Sequence, residues 1–115
     1  MAAVFLAIVD GTPVGMAAGR PGDSSEEREI VSVWVDPSCR GRAIASKLLI
    51  AVLNWADAEG CERVRLWMTR GNEPARRVYE RQSFEATGRS KALPSCPQLI
   101  EDELVLARGT VLPPV

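Results

Sequence analysis

Apolar runs and turn signals alternate along the first part of the chain. Val4 to Val9 is an apolar run that stops at Asp10-Gly11, the dipeptide favoured where a tight turn needs positive φ, and Val14 to Ala18 follows as the return strand of a predicted hairpin. Arg20 to Arg28 (RPGDSSEER) is polar and contains Pro and Gly, which predicts a solvated loop. Glu29 to Val35 then sets Val31, Val33 and Val35 at alternate positions, predicting a third strand with the three valines on one face. Asp36-Pro37 ends it, because the residue before proline is pushed to extended geometry and proline gives no N–H to a ladder.

From Arg42 to Glu59 the period changes. Ile44, Leu48, Leu49, Val52, Trp55 and Ala56 recur at helical spacing, and Gly60 stands where a left-handed C-terminal residue is wanted. Val64 to Met68 predicts a strand, so strand, helix and strand form a right-handed crossover with the two strands parallel. After Asn72 a shorter helix is expected. Pro74 is near its start, where a missing N–H costs nothing, and Ala75, Val78 and Tyr79 point inward until about Gln82. Phe84 to Thr87 and Ile100 to Ala107 predict a closing antiparallel pair, separated by the Pro-containing stretch Leu93 to Pro97. The fold class is α/β (α+β) with a mixed sheet. Residues 1–115 read as a single domain, without repeat or linker.

Composition narrows the chemistry. With 46% hydrophobic and 25% charged residues, the chain has the make-up of a small globular domain. A net charge of -1 gives no electrostatic footprint for a polyanion, so no nucleic-acid partner is expected. Met1 to Val9 lacks a basic leader and is too short to span a bilayer, so no membrane partner is expected either. Cys39, Cys61 and Cys96 are odd in number and never spaced C-x-x-C, which fits a reducing, cytoplasmic setting rather than a disulfide framework. The chain has no histidine. That excludes Ser-His-Asp and Cys-His nucleophile pairs and most zinc or iron sites, leaving acid–base work to Glu, Asp, Tyr, Cys or Lys.

The segment with the most chemical content joins the third strand to the long helix: Val33-Trp34-Val35-Asp36-Pro37-Ser38-Cys39-Arg40-Gly41-Arg42-Ala43-Ile44-Ala45. Just before the helix, Arg40, Gly41 and Arg42 offer no Ser, Thr, Asp or Asn to cap the first N–H groups, so those donors stay open to an anion. The helix dipole and the two arginines favour negative charge there, and a pyrophosphate would suit the place. An ordinary strand-to-helix turn with two solvated arginines has the same signature.

This segment resembles the acyl-CoA motif of the GNAT superfamily of N-acetyltransferases, whose pattern is Gln or Arg, two residues, Gly, any residue, then Gly or Ala. Arg40-Gly41-Arg42-Ala43-Ile44-Ala45 matches it except at Ala43. The similarity continues through a long helix and a strand to Asn72-Glu73-Pro74-Ala75-Arg76-Arg77-Val78-Tyr79-Glu80-Arg81-Gln82-Ser83-Phe84, which resembles the family phrase N-x-x-A-x-x-x-Y-x-x-x-G-F.

The resemblance implies a mixed sheet with two splayed parallel strands, and acetyl-CoA as acyl donor. Val33, Trp34 and Val35 would offer backbone groups to the pantetheine arm, and Gly41 to Ser46 (Gly41, Arg42, Ala43, Ile44, Ala45, Ser46) would cradle the pyrophosphate beside Arg40. Asn72 would bond the pantetheine or cap the second helix. Tyr79, the single tyrosine, would protonate the departing thiolate, and Glu29 would be the base that frees the amine. No metal is needed. The implied reaction is direct attack of a primary amine on the thioester in a ternary complex, with the acceptor left open; the competing expectation is a noncatalytic acyl-CoA-binding or assembly module.

Three departures from the family pattern carry expectations. The chain begins at what resembles the family's second strand, so its first strand and first two helices are missing, and Val4 to Val9 is expected to self-associate through its edge as a homodimer or homo-oligomer. Ala43 puts a methyl group where backbone and phosphate approach. Ser83 replaces the glycine of Gly-Phe, so a position that wants positive φ is expected to be rebuilt.

Overall fold

A computed structural model describes residues 2–41 and 43–107 of the chain. The hairpin forms as its sequence predicts: β1 (Ala3–Val9) pairs antiparallel with β2 (Thr12–Pro21), and Asp10 and Gly11 take φ of 49° and 78° at the turn. Next come β3 (Glu27–Val35), α1 (Ile44–Ala58), β4 (Arg63–Thr69), α2 (Glu73–Arg81), β5 (Glu85–Leu93) and β6 (Cys96–Ala107). The six strands make one mixed sheet in the order β1-β2-β3-β4-β6-β5, and only β3 and β4 are parallel neighbours.

Both helices lie on the same face of this sheet. α1 buries Leu48, Leu49, Val52, Leu53 and Ala56 against it, and Phe5, Ala7 and Val9 of β1 pack on the same core. Gly19 of β2 is a place where only glycine fits, since a Cβ there would sit 2.4 Å from the Trp55 ring. The core between the layers includes the fully buried Leu66, Leu104, Val52 and Val64. No described helix covers the other face, and among the described residues no helix is long and apolar enough to cross a membrane.

Each helix ends by the same device. Gly60 takes φ 75° after α1, with its N–H donating to Asp57 and that of Cys61 to Ala56. After α2 the left-handed residue is Ser83, at φ 70°, with N–H bonds from Ser83 to Glu80 and from Phe84 to Tyr79. The position is therefore not rebuilt for serine. The chain keeps the geometry that glycine favours and accepts strain on the order of 1 kcal/mol.

The strands differ from the sequence reading at three places. First, β2 runs to Pro21 and β3 starts at Glu27, so the polar loop shrinks to residues 22–26. Charges can occupy these strand positions because each finds a partner: Arg20 with Glu29 at 2.8 Å, Arg65 with Glu27 at 2.8 Å and Arg28 with Glu59 at 3.8 Å.

Second, β3 is bulged. Trp34 stands opposite Met16 and Val31 opposite Ala18, leaving two β3 residues against Ala17, and Ser32 takes φ 57°. The extra residue reverses the alternation, so Val33 and Val35 turn to the helices while Val31 faces the other side. The three valines do not share a face.

Third, the closing pair is longer than its apolar residues suggest. Leu93 pairs with Cys96, so Pro94-Ser95 is a tight turn between two long strands rather than a separating loop. β5 is solvent-exposed almost throughout, and pairing with β6 rather than burial holds it extended.

Candidate functional site

β3 and β4 are laddered at three pairs only: Glu27 with Arg63, Arg28 with Val64 and Glu29 with Arg65. Beyond them the strands part, and residues 30–33 and 66–69 form the walls of a cleft of about 270 Å³, with Asn72, Ala75 and Tyr79 on its helix side. The facing edges have no ladder between them, so their N–H and C=O groups remain open to an extended ligand that pairs as a strand would. A smaller hollow of about 50 Å³ shares Val33, Ala75 and Tyr79 with the cleft and adds Ala45 and Leu49, leading toward the start of α1.

That start is bare. Asp36 caps the short 3₁₀ turn Pro37–Cys39, accepting from the Ser38 N–H at 2.9 Å and the Ser38 hydroxyl at 2.8 Å, and these bonds hold its carboxyl below the usual carboxylate range. The chain then passes through Gly41 at φ 86° to Ala43 at φ 59°, which is the N-cap of α1 and makes no side-chain cap bond. Among the described residues the first intrahelical bond runs from the Lys47 N–H to Ala43, with the N–H groups of Ile44, Ala45 and Ser46 at the head of the helix dipole. Arg40 is exposed beside them. Arg42 lies outside the described residues.

Tyr79 is buried on α2 and lines both the cleft and the hollow. Its ring meets Phe84 edge-on, with centroids 6.0 Å apart, and burial pushes its phenol above the ordinary value of 10.0. Asn72 has a structural duty as well as a cleft position: its side chain caps α2 by accepting from the Ala75 N–H at 3.3 Å.

Of the three motif-strand residues, only Val33 lines the cleft with its side chain. Trp34 is half-exposed on the helix-free face opposite Met16, and Val35 packs on the core, so both can contribute only backbone. Glu29 stands apart, at the closed end of the splay and outside the cleft lining. Its Oε1 accepts from Arg20 Nε at 3.0 Å and from a second Arg20 nitrogen at 2.8 Å.

Two residues went unnoticed in the sequence. Arg65, nearly buried on β4, is the hub of the closed end, 3.0 Å from Asp23, 2.8 Å from Glu27 and 3.8 Å from Glu103. Burial by itself works against its charge, but Asp23, Glu27 and Glu29 outweigh this and hold its pKa above the ordinary value. Trp67 lines the cleft from β4. A strand of alternating Arg65, Trp67 and Thr69 was the available signal, because on a two-residue period these three share one face.

Residues 2–84 match the acetyltransferase (GNAT) family. The chain is 34% identical over 93 residues to mycothiol acetyltransferase of Brachybacterium faecium, covering 78% of this chain and 28% of that protein. It is 30% identical over 94 residues to aminoglycoside N(6')-acetyltransferase type 1 of Salmonella typhimurium, covering 76% and 65% respectively. Two solved structures share the fold. Ribosomal-protein-S18-alanine N-acetyltransferase from Escherichia coli superposes with a TM-score of 0.80 at 14% identity, covering 99% of this chain and 74% of that one. The structure of yncA from Salmonella typhimurium, solved with its cofactor acetyl-CoA, gives 0.79 at 19% identity, with 97% and 68% covered. This chain thus spans 28% to 65% of the length of the two curated relatives. The family match runs from the hairpin through α2 to Phe84 and takes in every element that builds the cleft, so the chain belongs to the acetyltransferase (GNAT) family.

Proposed function

We propose that the chain binds acetyl-CoA in the β3–β4 cleft and transfers its acetyl group to a primary amine by direct attack in a ternary complex. The observation that carries this reading is the loss of the β3–β4 ladder after Glu29 and Arg65, beside a helix start with no cap. Main-chain N–H groups of Ile44, Ala45 and Ser46, with Gly41, Ala43 and the arginines Arg40 and Arg42, hold the diphosphate. The free edge of Val33, Trp34 and Val35 pairs with the pantetheine, and the Asn72 amide NH₂ is available to it because only Oδ1 serves the cap.

The neutral amine attacks the thioester carbonyl, so a C–N bond forms as the C–S bond breaks. Tyr79 gives its proton to the departing thiolate, a role suited to a phenol that burial keeps protonated. A lysine-type amine, with a pKa of about 10.4, must first lose a proton. Glu29 takes it through water. Its Oε1 is engaged by Arg20, which leaves Oε2 as the accepting atom.

The names of the two relatives differ, one carrying mycothiol and the other an aminoglycoside, so they do not agree on an acceptor for this chain. Reduced Cys39, Cys61 and Cys96 fit reaction in the cytoplasm. A homodimer through the β1 edge would pair the open backbone groups of Ala3–Val9, beside which Val4, Leu6 and Ile8 are 63%, 54% and 59% exposed on the helix-free face. A single monomeric species by light scattering at high concentration would rule that dimer out.

Titration with acetyl-CoA tests the central reading. The amide signals of Gly41 through Ser46 should shift to saturation, and CoA release should then depend on added amine. Unmoved signals at saturating acetyl-CoA would overturn the proposal. Binding without amine-dependent release would leave an acyl-CoA-binding module instead.

A further inference from the structure

Among the described residues, Lys91 at the helix-free mouth of the cleft is a cation without an ion-pair partner. Trp67 lines the cleft beyond the last β3–β4 ladder pair, and two side chains of β5 lie over its ring: Lys91 Nζ is 4.3 Å from the centroid and Arg89 Cζ is 5.9 Å from it. The sheet register brings them together across β6, where Glu103 stands opposite Trp67 and Glu101 opposite Lys91.

Most carboxylates around this mouth are already committed. Glu103, only 3% exposed, accepts from the Thr87 hydroxyl at 2.7 Å and from Arg89 at 3.3 Å, with Arg65 Nε at 3.8 Å. Glu29 is held by Arg20, and Glu27 and Asp23 by Arg65. Glu101 is the remaining neighbour, yet no ion pair joins it or any other described carboxylate to Lys91. The Trp67 ring thus fixes an ammonium at the rim of the cleft, with Glu101, opposite it on β6, likewise outside any described ion pair.

We propose that Lys91, held over Trp67, anchors a carboxylate of the acceptor, so that the substrate class is amines that also carry a carboxyl group, of amino-acid type. A single ammonium matches a singly charged carboxylate, whereas a doubly charged phosphate would call for a second uncommitted cation. The amine end then reaches into the cleft from the helix-free face, opposite the side where Tyr79 and Asn72 stand. This inference rests on the acetyltransferase reading of the cleft.

The test compares free amino acids with the same amino acids as carboxyl amides, following CoA release from acetyl-CoA with the full chain, Lys91→Gln and Lys91→Arg. Lys91 is exposed, so neither substitution threatens the fold. Free amino acids should be the better substrates, with Lys91→Gln raising their KM about two- to fivefold at unchanged kcat while leaving the amides unaffected. Lys91→Arg should restore most of the loss. Equal use of both panels, or an equal effect of Lys91→Gln on both, would overturn the anchor. Should no amine be acetylated, the acetyltransferase reading fails by itself. Calorimetric titration of both panels into CoA-saturated protein then decides the anchor, which stands if carboxylates bind more tightly than amides and falls if they bind alike or not at all.

Discussion

The two ends of the β3–β4 pair have the same neighbours and opposite characters. At the closed end, three ladder pairs are reinforced by a charge network centred on Arg65, which ties the 22–26 loop, β3, β4 and β6 together. At the open end there is no ladder, the walls present mainly polar surface, unpaired backbone groups with Ser32, Thr69 and Asn72, and the cleft begins. The difference shows how a small sheet can leave strand edges unpaired: the fixing is concentrated in a few residues on one side, and the opening follows from the divergence beyond them.

Removing the hub should break this contrast most severely. Arg65→Ala removes the cation shared by Glu27 and Glu103, which keep only Arg63 and Arg89, and is expected to cost about 3 kcal/mol, read as a lower urea midpoint. An unchanged midpoint would mean that the ladder alone holds the closed end.

Next in size, Tyr79→Phe should lower the acetylation rate by roughly 10²-fold with acetyl-CoA affinity retained, since the ring stays and only the hydroxyl goes. The sign of the pH dependence follows from burial. Because the folded phenol has a raised pKa, its protonated form is complete below the ordinary value of 10.0 and is lost only as pH rises through the higher folded value. The alkaline fall in kcat should therefore begin above about pH 10. A fall near neutral pH would assign that limb to another group.

The smallest expected effect lies at the open end's anion cradle. Ala43→Gly relieves a left-handed alanine at φ 59° and should stabilise the fold by about 1 kcal/mol, measured by denaturant unfolding, with a modest gain in acetyl-CoA affinity. A loss of stability would show that the methyl group makes up for its backbone strain.

The parts of the fold that the sequence made legible are those with local signals. Asp10-Gly11 specifies its turn through backbone geometry, and the spacing of Leu48, Leu49, Val52 and Ala56 specifies the buried face of α1. Asn72 and Tyr79 could be singled out because a motif of fixed spacing puts them on one helix. What remained hidden depends on pairing. Glu27 and Arg28 read as loop because their ion partners are distant in sequence, and β5 is legible only to Thr87 because the rest of it buries almost nothing. Trp67, Lys91 and Glu103 meet only through the register of three strands, which no local pattern encodes.

The single extra residue at Ser32 sets the parity of everything that follows it in β3. Deleting it would carry Val33 and Val35 out into water and drive the Trp34 indole toward Leu49, so that both the seat of α1 and the lining of the hollow would be lost together. Here the length of the chain matters more than the identity of the side chain: a serine-to-glycine change, which suits φ 57°, is a small perturbation, whereas a one-codon deletion at the same spot would turn the strand inside out.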